Sequence, residues 1–241
     1  MKKIILGFLS VSMIIGIWFI FSYKINNNYI LPNPILVFQT FIELIQSLKT
    51  YSIILASMGR LVIALLLSTL SGISFGLLGG NYMAVDDFLK PIISGLRSLP
   101  IASIIIVLMI ILGREQSLFV ITFLMIFPII YEAVKLSIHQ IDQDINDQLS
   151  LEQISFFRLV TQIQLPLSIP LIRSSIHQSV GIGFKVMVMA EFITQTNQGI
   201  GRELFNGTIS INYATVFAWT LLIILLVMMI EHLILNQLKI S

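Results

Sequence analysis

The sequence predicts an all-α membrane protein that crosses the bilayer about six times. Of its 241 residues, 56% are hydrophobic and only 11% are charged, and the mean hydropathy is +0.96. A soluble domain carries about 25% charged residues, so this chain lacks the charge needed to cover a water-exposed surface. Its long apolar runs are continuous rather than alternating. Continuous runs favour helices over a barrel, because backbone groups in lipid must be hydrogen-bonded within the segment or within a closed barrel.

Composition also excludes several classes of function. The formal net charge of +2 is too small to predict a nucleic-acid partner. The chain contains no cysteine, which excludes disulfides, thiolate chemistry and cysteine-bound metal. Six spans of about 20 residues would occupy half of the chain and leave only short loops. We therefore expect one transmembrane domain over residues 1–241, without a separate catalytic domain.

Six apolar runs supply the predicted spans. The first follows Lys2 and Lys3, a context shared by membrane spans and signal peptides. We interpret it as a retained span, because its apolar core is long and no Ala-x-Ala cleavage site follows; a signal peptide is the alternative. The predicted spans are Ile4–Ser22, Leu61–Gly80, Leu99–Leu112, Leu118–Val134, Pro170–Ile193 and Ala214–Ile230.

Two features of these spans predict how they pack. Gly72, Gly76 and Gly80 repeat every four residues in the second span, which predicts a close crossing with another helix. The alternative is that glycine is simply frequent in membrane helices. The third and fourth spans are joined by a short polar link around Arg114 and Glu115, which predicts a tight hairpin.

The distribution of basic residues predicts the orientation of the chain. With the amino terminus inside, eight Lys and Arg residues fall on the cytoplasmic side and five on the outer side. Both termini and the longest loop, residues 137–169, are therefore predicted to be cytoplasmic. The cytoplasmic set is Lys2, Lys3, Lys90, Arg97, Lys135, Arg158, Arg173 and Lys239, and the outer set is Lys24, Lys49, Arg60, Arg114 and Arg202.

The long cytoplasmic loop has a pattern that a passive linker lacks. Ile141, Ile145 and Leu149 recur every four residues with acidic residues between them, which predicts a short amphipathic helix with an acidic face. Since the inner leaflet is negatively charged, this face favours docking to another protein over a helix lying on lipid headgroups, which is the alternative. A second apolar stripe follows, and the prolines after it are expected to end its helix. The stripe is Phe156, Phe157, Val160 and Ile163, and the prolines are Pro166 and Pro170.

The end of this loop, Ile163-Gln164-Leu165-Pro166, resembles the end of a known cytoplasmic signature. The signature reads Glu-Ala-Ala, three residues, Gly, nine residues, Ile, one residue, Leu-Pro. It is typical of the permease subunits of bacterial binding-protein-dependent ABC importers. The ending is kept and the beginning has diverged: Asp147 stands where the family has Glu, Gln148-Leu149 where it has Ala-Ala, and Gln153 where it has Gly.

Other stretches resemble the same family, in the same order, along nearly the whole chain. Within the family they are most similar to the nitrate, sulfonate and taurine permeases, a group that includes permeases for thiamine-precursor pyrimidines. Each stretch is short, and their shared order identifies the family. The stretches are Leu31–Pro34, Ser57 with Arg60, Gly72–Gly79, Leu96–Ala102, Phe127–Ile129, Ala190-Glu191 and Gly199–Gly201.

The resemblance implies a function, a location and partners, but it does not identify the solute. It implies a homodimer in the bacterial inner membrane that forms the solute pathway, with no cofactor in this chain. It also implies an external solute-binding protein and two cytoplasmic ATPase subunits that supply the energy. The expected ATPase-coupling residues are Asp147, Gln148, Leu149, Gln153, Phe157, Ile163, Leu165 and Pro166.

Two ionisable residues of the fifth span are candidates for the translocation pathway, Lys185 and Glu191. A lysine well inside a span costs about 2.5–3.5 kcal/mol on insertion scales, so Lys185 is expected to face protein or water. Glu191 is six residues further on, about 240° around the helix, so the two are not expected to pair. Lys185 either contacts a neighbouring helix or lines the pathway and attracts an anionic or polar solute.

Motifs for enzymatic chemistry are absent from the sequence. There is no Gly-x-x-x-x-Gly-Lys-Ser/Thr loop for ATP phosphates, no His-Glu-x-x-His and no Gly-x-Ser-x-Gly. His139, His177 and His232 are isolated, so no metal site is expected. Glu132 and Lys135 are three residues apart and are expected to pair with each other. The sequence thus predicts a conduit rather than an enzyme, with ATP hydrolysis in a separate subunit.

Two other classes of membrane protein are the alternatives. A self-contained secondary transporter or channel would have an inverted repeat and several ionisable groups within the membrane. We find no clear repeat. An intramembrane enzyme would need a catalytic constellation, which the sequence lacks.

Overall fold

The computed structural model describes residues 2–141 and 155–238, and every element in these two ranges is helical. Asp147, Gln148, Leu149 and Gln153, and with them the predicted acidic helix, lie outside the described residues. In chain order the helices are α1 (Lys2–Ile25), α2 (Pro34–Gln46), α3 (Leu48–Asn81), α4 (Met83–Ser98), α5 (Ile101–Leu112), α6 (Arg114–His139), α7 (Phe156–Thr194), α8 (Ile200–Ile209) and α9 (Tyr213–Leu238).

Five of these helices are long and apolar enough to cross a membrane: α1, α3, α6, α7 and α9. The pair α4 and α5 adds a sixth if it is counted as one broken span, because the two helices meet at a bend of 106°. The prediction of an all-helical protein with about six spans is confirmed for the part of the chain that the structure describes.

The predicted third span is only partly correct, because its helix α5 begins at Ile101 and not at Leu99. Leu99 and Pro100 have extended backbone, with ψ angles of 138° and 118°. Proline disfavours a helical conformation in the residue before it, which explains the end of α4 at Ser98. The 12 residues of α5 are about 18 Å long, less than the roughly 30 Å of a bilayer core. Helix α5 is therefore too short to cross the bilayer alone.

The predicted glycine crossing is confirmed between α3 and α6. A Cβ atom on Gly72 would lie 2.8 Å from Cβ of Ile130, and one on Gly76 would lie 2.7 Å from Cβ of Val134. A Cβ atom on Gly80 would collide with the side chain of Ile138. Glycine at these positions therefore lets the two helix backbones approach more closely than any larger residue would.

The structure contains three helices that the sequence analysis did not predict: α2, α4 and α8. Helix α3 also begins at Leu48, before the predicted start of the second span at Leu61. All three are short and amphipathic, so none has the long apolar run by which a span is recognised in a sequence. The start of α2 has a clear local cause. The side-chain oxygen of Asn33 accepts the N–H of Ile35 at 2.9 Å, and Pro34 occupies the first turn, where no N–H is needed.

The prediction that the helix ends at Pro166 and Pro170 is wrong, because α7 continues through both prolines. It consists of a helical turn at Phe156–Arg158, a π-helical stretch at Leu159–Gln164 and an α-helix at Leu165–Thr194. Pro166 lies in the first turn of the α-helical part, directly after the π-helical stretch, and Pro170 lies inside the α-helical part. The described end of the long loop and the apolar span that follows it are thus one continuous helix.

The apolar core is built around α6 and α7. One cluster joins buried side chains of α5, α6 and α7, and a second joins α3, α7, α8 and α9 around Trp219. Helix α1 is peripheral, and its main contact is the stacking of Trp18 on Phe217, with ring centroids 5.4 Å apart. Helix α7 therefore contacts both clusters.

Candidate functional site

The described coupling residues lie at the beginning of α7. Phe157 is highly exposed, with 75% of its surface accessible. Ile163 is half-buried and Pro166 is exposed. Leu165 packs against a buried cluster that includes Ile138 of α6. Phe157 is therefore exposed near the beginning of α7, and Leu165, about two turns further on, packs into the core.

Lys185 lies on an exposed polar face of α7. Ser174 and Gln178 are exposed on the same side of the helix, within about 40° of Lys185 around its axis, and the apolar residues Met189 and Phe192 continue this side beyond Lys185. Among the described residues, Lys185 has no ion-pair or hydrogen-bond partner. A stripe of this kind in a membrane span is costly against lipid, so it requires water or another protein surface in front of it. We call Ser174, Gln178 and Lys185 the polar face of α7.

Glu191, the second predicted pathway residue, has a completely different environment. Its side chain has 0% exposure, and its carboxylate accepts hydrogen bonds from three directions. The Ser57 hydroxyl donates to Oε1 at 2.7 Å, Nη1 of Arg60 donates to the same oxygen at 2.9 Å, and the N–H of Gly201 donates to Oε2 at 3.0 Å. The buried charge is thus paired and hydrogen-bonded, as a buried carboxylate must be.

Arg60 extends this arrangement to the surface. Its Nη2 lies 3.1 Å from Oε2 of Glu115, and its Nη1 donates to the carbonyl of Gln198 at 2.7 Å. Oε1 of Glu115 in turn accepts the Thr196 hydroxyl at 2.6 Å and the N–H of Asn197 at 3.1 Å. These contacts tie together the ends of α3, α6 and α7 and the link to α8. We call Ser57, Arg60, Glu115, Glu191, Thr196 and Gly201 the Glu191 cluster.

Two glycines of the Gly199-Ile200-Gly201 stretch are required by this cluster. A Cβ atom on Gly199 would collide with the carboxylate of Glu191, and one on Gly201 would collide with the carbonyl of Val188. The close approach allows the N–H of Gly201 to reach the carboxylate. Ser57, Arg60 and Glu191 belong to stretches that resemble the permease family in sequence. No pattern in the sequence indicates that these three residues are in contact.

The prediction that Glu132 and Lys135 pair with each other is wrong. Glu132 pairs with Arg97 at 2.6 Å, and Nζ of Lys135 lies 2.7 Å from Oδ1 of Asp86. Both partners belong to α4, which packs against α6. A pair three residues apart on one helix contributes only about 0.2–0.5 kcal/mol, so a neighbouring helix that offers opposite charges easily replaces it.

No group of three or more His, Asp or Glu side chains within residues 2–141 and 155–238 could hold a metal ion. The charged clusters are instead ion pairs between helices. They fix the positions of α3, α4, α6 and α7, and they leave Lys185 as an exposed cation on the membrane-spanning part of α7.

Residues 72–237 match the family of binding-protein-dependent transport system inner membrane components. The chain belongs to this family. The matched region begins within α3 at the first glycine of the crossing and includes the polar face of α7 and Glu191, whereas Ser57 and Arg60 precede it.

Three relatives show which transport systems this family member is similar to. It is 27% identical to the bicarbonate transport system permease protein CmpB of Synechocystis over 61% of its own length and 53% of the relative's. It is 24% identical to SsuC of Bacillus subtilis, named for aliphatic sulfonates transport, over 81% and 71% of the two lengths. It is 27% identical to the nitrate import permease protein NrtB of Leptolyngbya laminosa, over 63% and 54%. The matches thus span about half the length of two of these relatives.

Proposed function

We propose that this chain is the permease subunit of an ABC importer and forms the solute pathway together with a second copy of itself. The observation that carries the proposal is the polar face of α7. Lys185, Gln178 and Ser174 are exposed in one copy, although they belong to a membrane span of a binding-protein-dependent transport family. A second copy across a water-filled path would give these side chains polar surroundings.

The proposed solute is a small anion. The relatives are named for bicarbonate, nitrate and aliphatic sulfonates, all of which carry negative charge. Lys185 supplies the matching positive charge on the polar face of α7. Glu191 is also a candidate pathway residue, but its carboxylate is fully buried and paired with Arg60. A direct role for Glu191 in the pathway would therefore require the Glu191 cluster to open.

The proposed partners are two cytoplasmic ATPase subunits and an external solute-binding protein. In this assignment the coupling segment extends over residues 137–169, and exposed Phe157 belongs to the surface that contacts the ATPase. The protein would lie in the bacterial inner membrane with both termini in the cytoplasm. ATP hydrolysis takes place in the partner, and the permease changes between inward-open and outward-open states as a rigid-body switch.

The test is uptake into proteoliposomes, with nitrate, bicarbonate and an alkanesulfonate as probes. Vesicles contain the permease with the ATPase and the solute-binding protein from the same organism, or the permease alone. We expect concentrative uptake of at least one anion only in the complete system and only with ATP. Concentrative uptake by the permease alone would contradict the proposal and would favour a self-contained secondary transporter.

A further inference from the structure

The inner end of α3 is attached to the first turns of α7 at two points. The side-chain amides of Asn81 and Gln164 form a reciprocal pair, in which Nδ2 of Asn81 donates to Oε1 of Gln164 at 2.9 Å and Nε2 of Gln164 donates to Oδ1 of Asn81 at 2.7 Å. The next residue, Tyr82, contacts the ring of Phe156 with centroids 5.7 Å apart. We call Asn81, Tyr82, Phe156 and Gln164 the α3–α7 joint.

In the amide pair Gln164 is buried and Asn81 is half-buried. Gln164 has 3% exposure, and its backbone carbonyl accepts the hydroxyl of Ser168 at 2.6 Å. The hydroxyl oxygens of Ser168 and Ser137 are 2.5 Å apart, which links the same turn of α7 to α6. Asn81 also donates to the carbonyl of Leu77 within α3 at 2.8 Å. Gln164 is therefore held against both α3 and α6.

The two attachments bracket the π-helical stretch Leu159–Gln164. Phe156 precedes this stretch and Gln164 is its last residue. A π-helical turn is a place where helices bend, because its wider turns interrupt the regular hydrogen-bond ladder. Without attachments, a force applied at Phe157 would bend α7 at this stretch. With both attachments, the segment can only move together with α3.

We propose that the α3–α7 joint makes the segment Phe156–Gln164 and the inner end of α3 one rigid body, so that movement of the ATPase is transmitted into the membrane helices. This inference rests on the proposed function of the segment as an ATPase contact. Asn81, Tyr82 and Gln164 are positioning residues, since they act on the orientation of the segment. The tight glycine crossing extends the rigid body from α3 to α6.

The experiment measures the distance between spin labels on the two parts of the joint. The chain has no cysteine, so Ser74→Cys and Arg158→Cys, both at exposed positions, introduce the only reactive thiols. Labelled copies are diluted with unlabelled ones, so that only distances within one copy are recorded. Pulsed electron spin resonance is measured on the permease alone and on its complex with the ATPase, without nucleotide and with ATP and vanadate.

We expect one narrow distance distribution in all of these states. Asn81→Leu leaves the Gln164 amide unpaired, which disfavours the closed joint by a factor on the order of ten, so the distribution broadens and its mean shifts. The exchange of the two residues, Asn81→Gln with Gln164→Asn, retains one long and one short amide and restores the narrow distribution. Tyr82→Leu, at a half-exposed second attachment, broadens it without removing a buried polar group.

Two results would overturn the proposal. A distance that changes with nucleotide in the unsubstituted joint would mean that the segment moves relative to α3. An Asn81→Leu distribution as narrow as that of the parent would mean that the amide pair does not hold the segment. Failure of the ATPase to bind at all would contradict the proposed function instead, while the measurement on the permease alone would still test the joint.

Discussion

The two charged side chains near the end of α7, Lys185 and Glu191, differ in exposure and in hydrogen bonding. Glu191 has no exposed surface and accepts hydrogen bonds from Ser57, Arg60 and Gly201. Lys185 is exposed and shares its face with polar side chains. A buried carboxylate with a complete set of donors stabilises one arrangement of helices, whereas an exposed cation in a span is available to a solute or a second copy.

Replacement of Lys185 tests its role in the pathway. Lys185→Met keeps the length of the side chain and removes the charge, so anion uptake by the complete importer should fall at least about tenfold, the equivalent of about 1.4 kcal/mol. Lys185→Arg should retain most of the uptake. Lys49→Met, at an exposed lysine at the start of α3, is the matched control and should have no effect. Normal uptake by a well-assembled Lys185→Met complex would refute the pathway role.

Replacement of Glu191 tests the importance of the buried ion pair. Glu191→Gln keeps the shape and leaves Arg60 facing a neutral group. Breaking an isolated buried pair costs about 3–5 kcal/mol. Arg60 keeps its pair with Glu115, so the cost here should be smaller, but the thermal unfolding midpoint of the purified protein should still fall. Glu203→Gln, at a half-buried position in the first turn of α8, is the control and should leave the midpoint almost unchanged. Equal midpoints for the two variants would argue against a stabilising role of the cluster.

At the scale of elements, the crossing of α3 and α6 packs branched side chains of one helix against the glycine backbone of the other. The four-residue glycine repeat forms a groove on α3, and Ile130, Val134 and Ile138 of α6 fill it. Lipid and leucine are similarly apolar, so close van der Waals contact is the main favourable term between two membrane helices. This crossing lies next to the end of α3 at Asn81, where the α3–α7 joint begins.

A pair of alanine substitutions within α3 isolates the contribution of the crossing. Gly76→Ala would place a methyl group 2.7 Å from Cβ of Val134 and should destabilise the protein by about 1–3 kcal/mol through overpacking. Gly59 lies in the same helix with nothing within 4 Å of an added Cβ. Gly59→Ala should therefore be neutral or slightly stabilising, since alanine favours a helix by up to about 1 kcal/mol relative to glycine. Unfolding midpoints in detergent measure both, and a stable Gly76→Ala variant would contradict the packing.

At the scale of the whole molecule, the continuity of α7 connects the predicted coupling segment to the membrane span. Its 39 residues extend from exposed Phe156 and Phe157, through the π-helical stretch, to Glu191 and Thr194. A continuous helix transmits displacement along its axis better than two helices joined by a proline turn. An ATPase that moves the first turns of α7 would therefore act on the same helix that carries Lys185.

The proposed ATPase contact is tested by charge introduced at Phe157. Phe157→Asp should reduce capture of the ATPase by the purified permease about thirtyfold or more, because an exposed aromatic anchor typically contributes 2 kcal/mol or more to an interface. Tyr29→Asp is the matched control, since Tyr29 is 70% exposed, compared with 75% for Phe157, and lies on the side predicted to be external. Asp147→Lys is expected to weaken capture as well, by reversing the charge of the predicted acidic face. Full ATPase capture by both Phe157→Asp and Asp147→Lys would show that the coupling assignment is wrong.

The sequence by itself determined the properties that depend on neighbouring residues along the chain. Continuous apolar runs identified five spans and part of the broken sixth. The spacing of Gly72, Gly76 and Gly80 identified a crossing face, and the order of short stretches identified the family. Hydrophobicity and helical periodicity are local properties, so they can be read without knowledge of the fold. Short amphipathic helices such as α4 escaped detection because their apolar residues are too few to mark a span.

The tertiary structure alone decided which distant residues meet. Glu191 is 131 residues from Arg60, and no local pattern joins them. Lys135 contacts Asp86 and not nearby Glu132, because α4 folds against α6 and offers a better-placed charge. The prolines at 166 and 170 do not end α7, although Pro170 lies inside its α-helical part, where proline removes a helical hydrogen bond. Ion-pair partners and helix continuity depend on which helices become neighbours, and that choice is made by packing over the whole bundle.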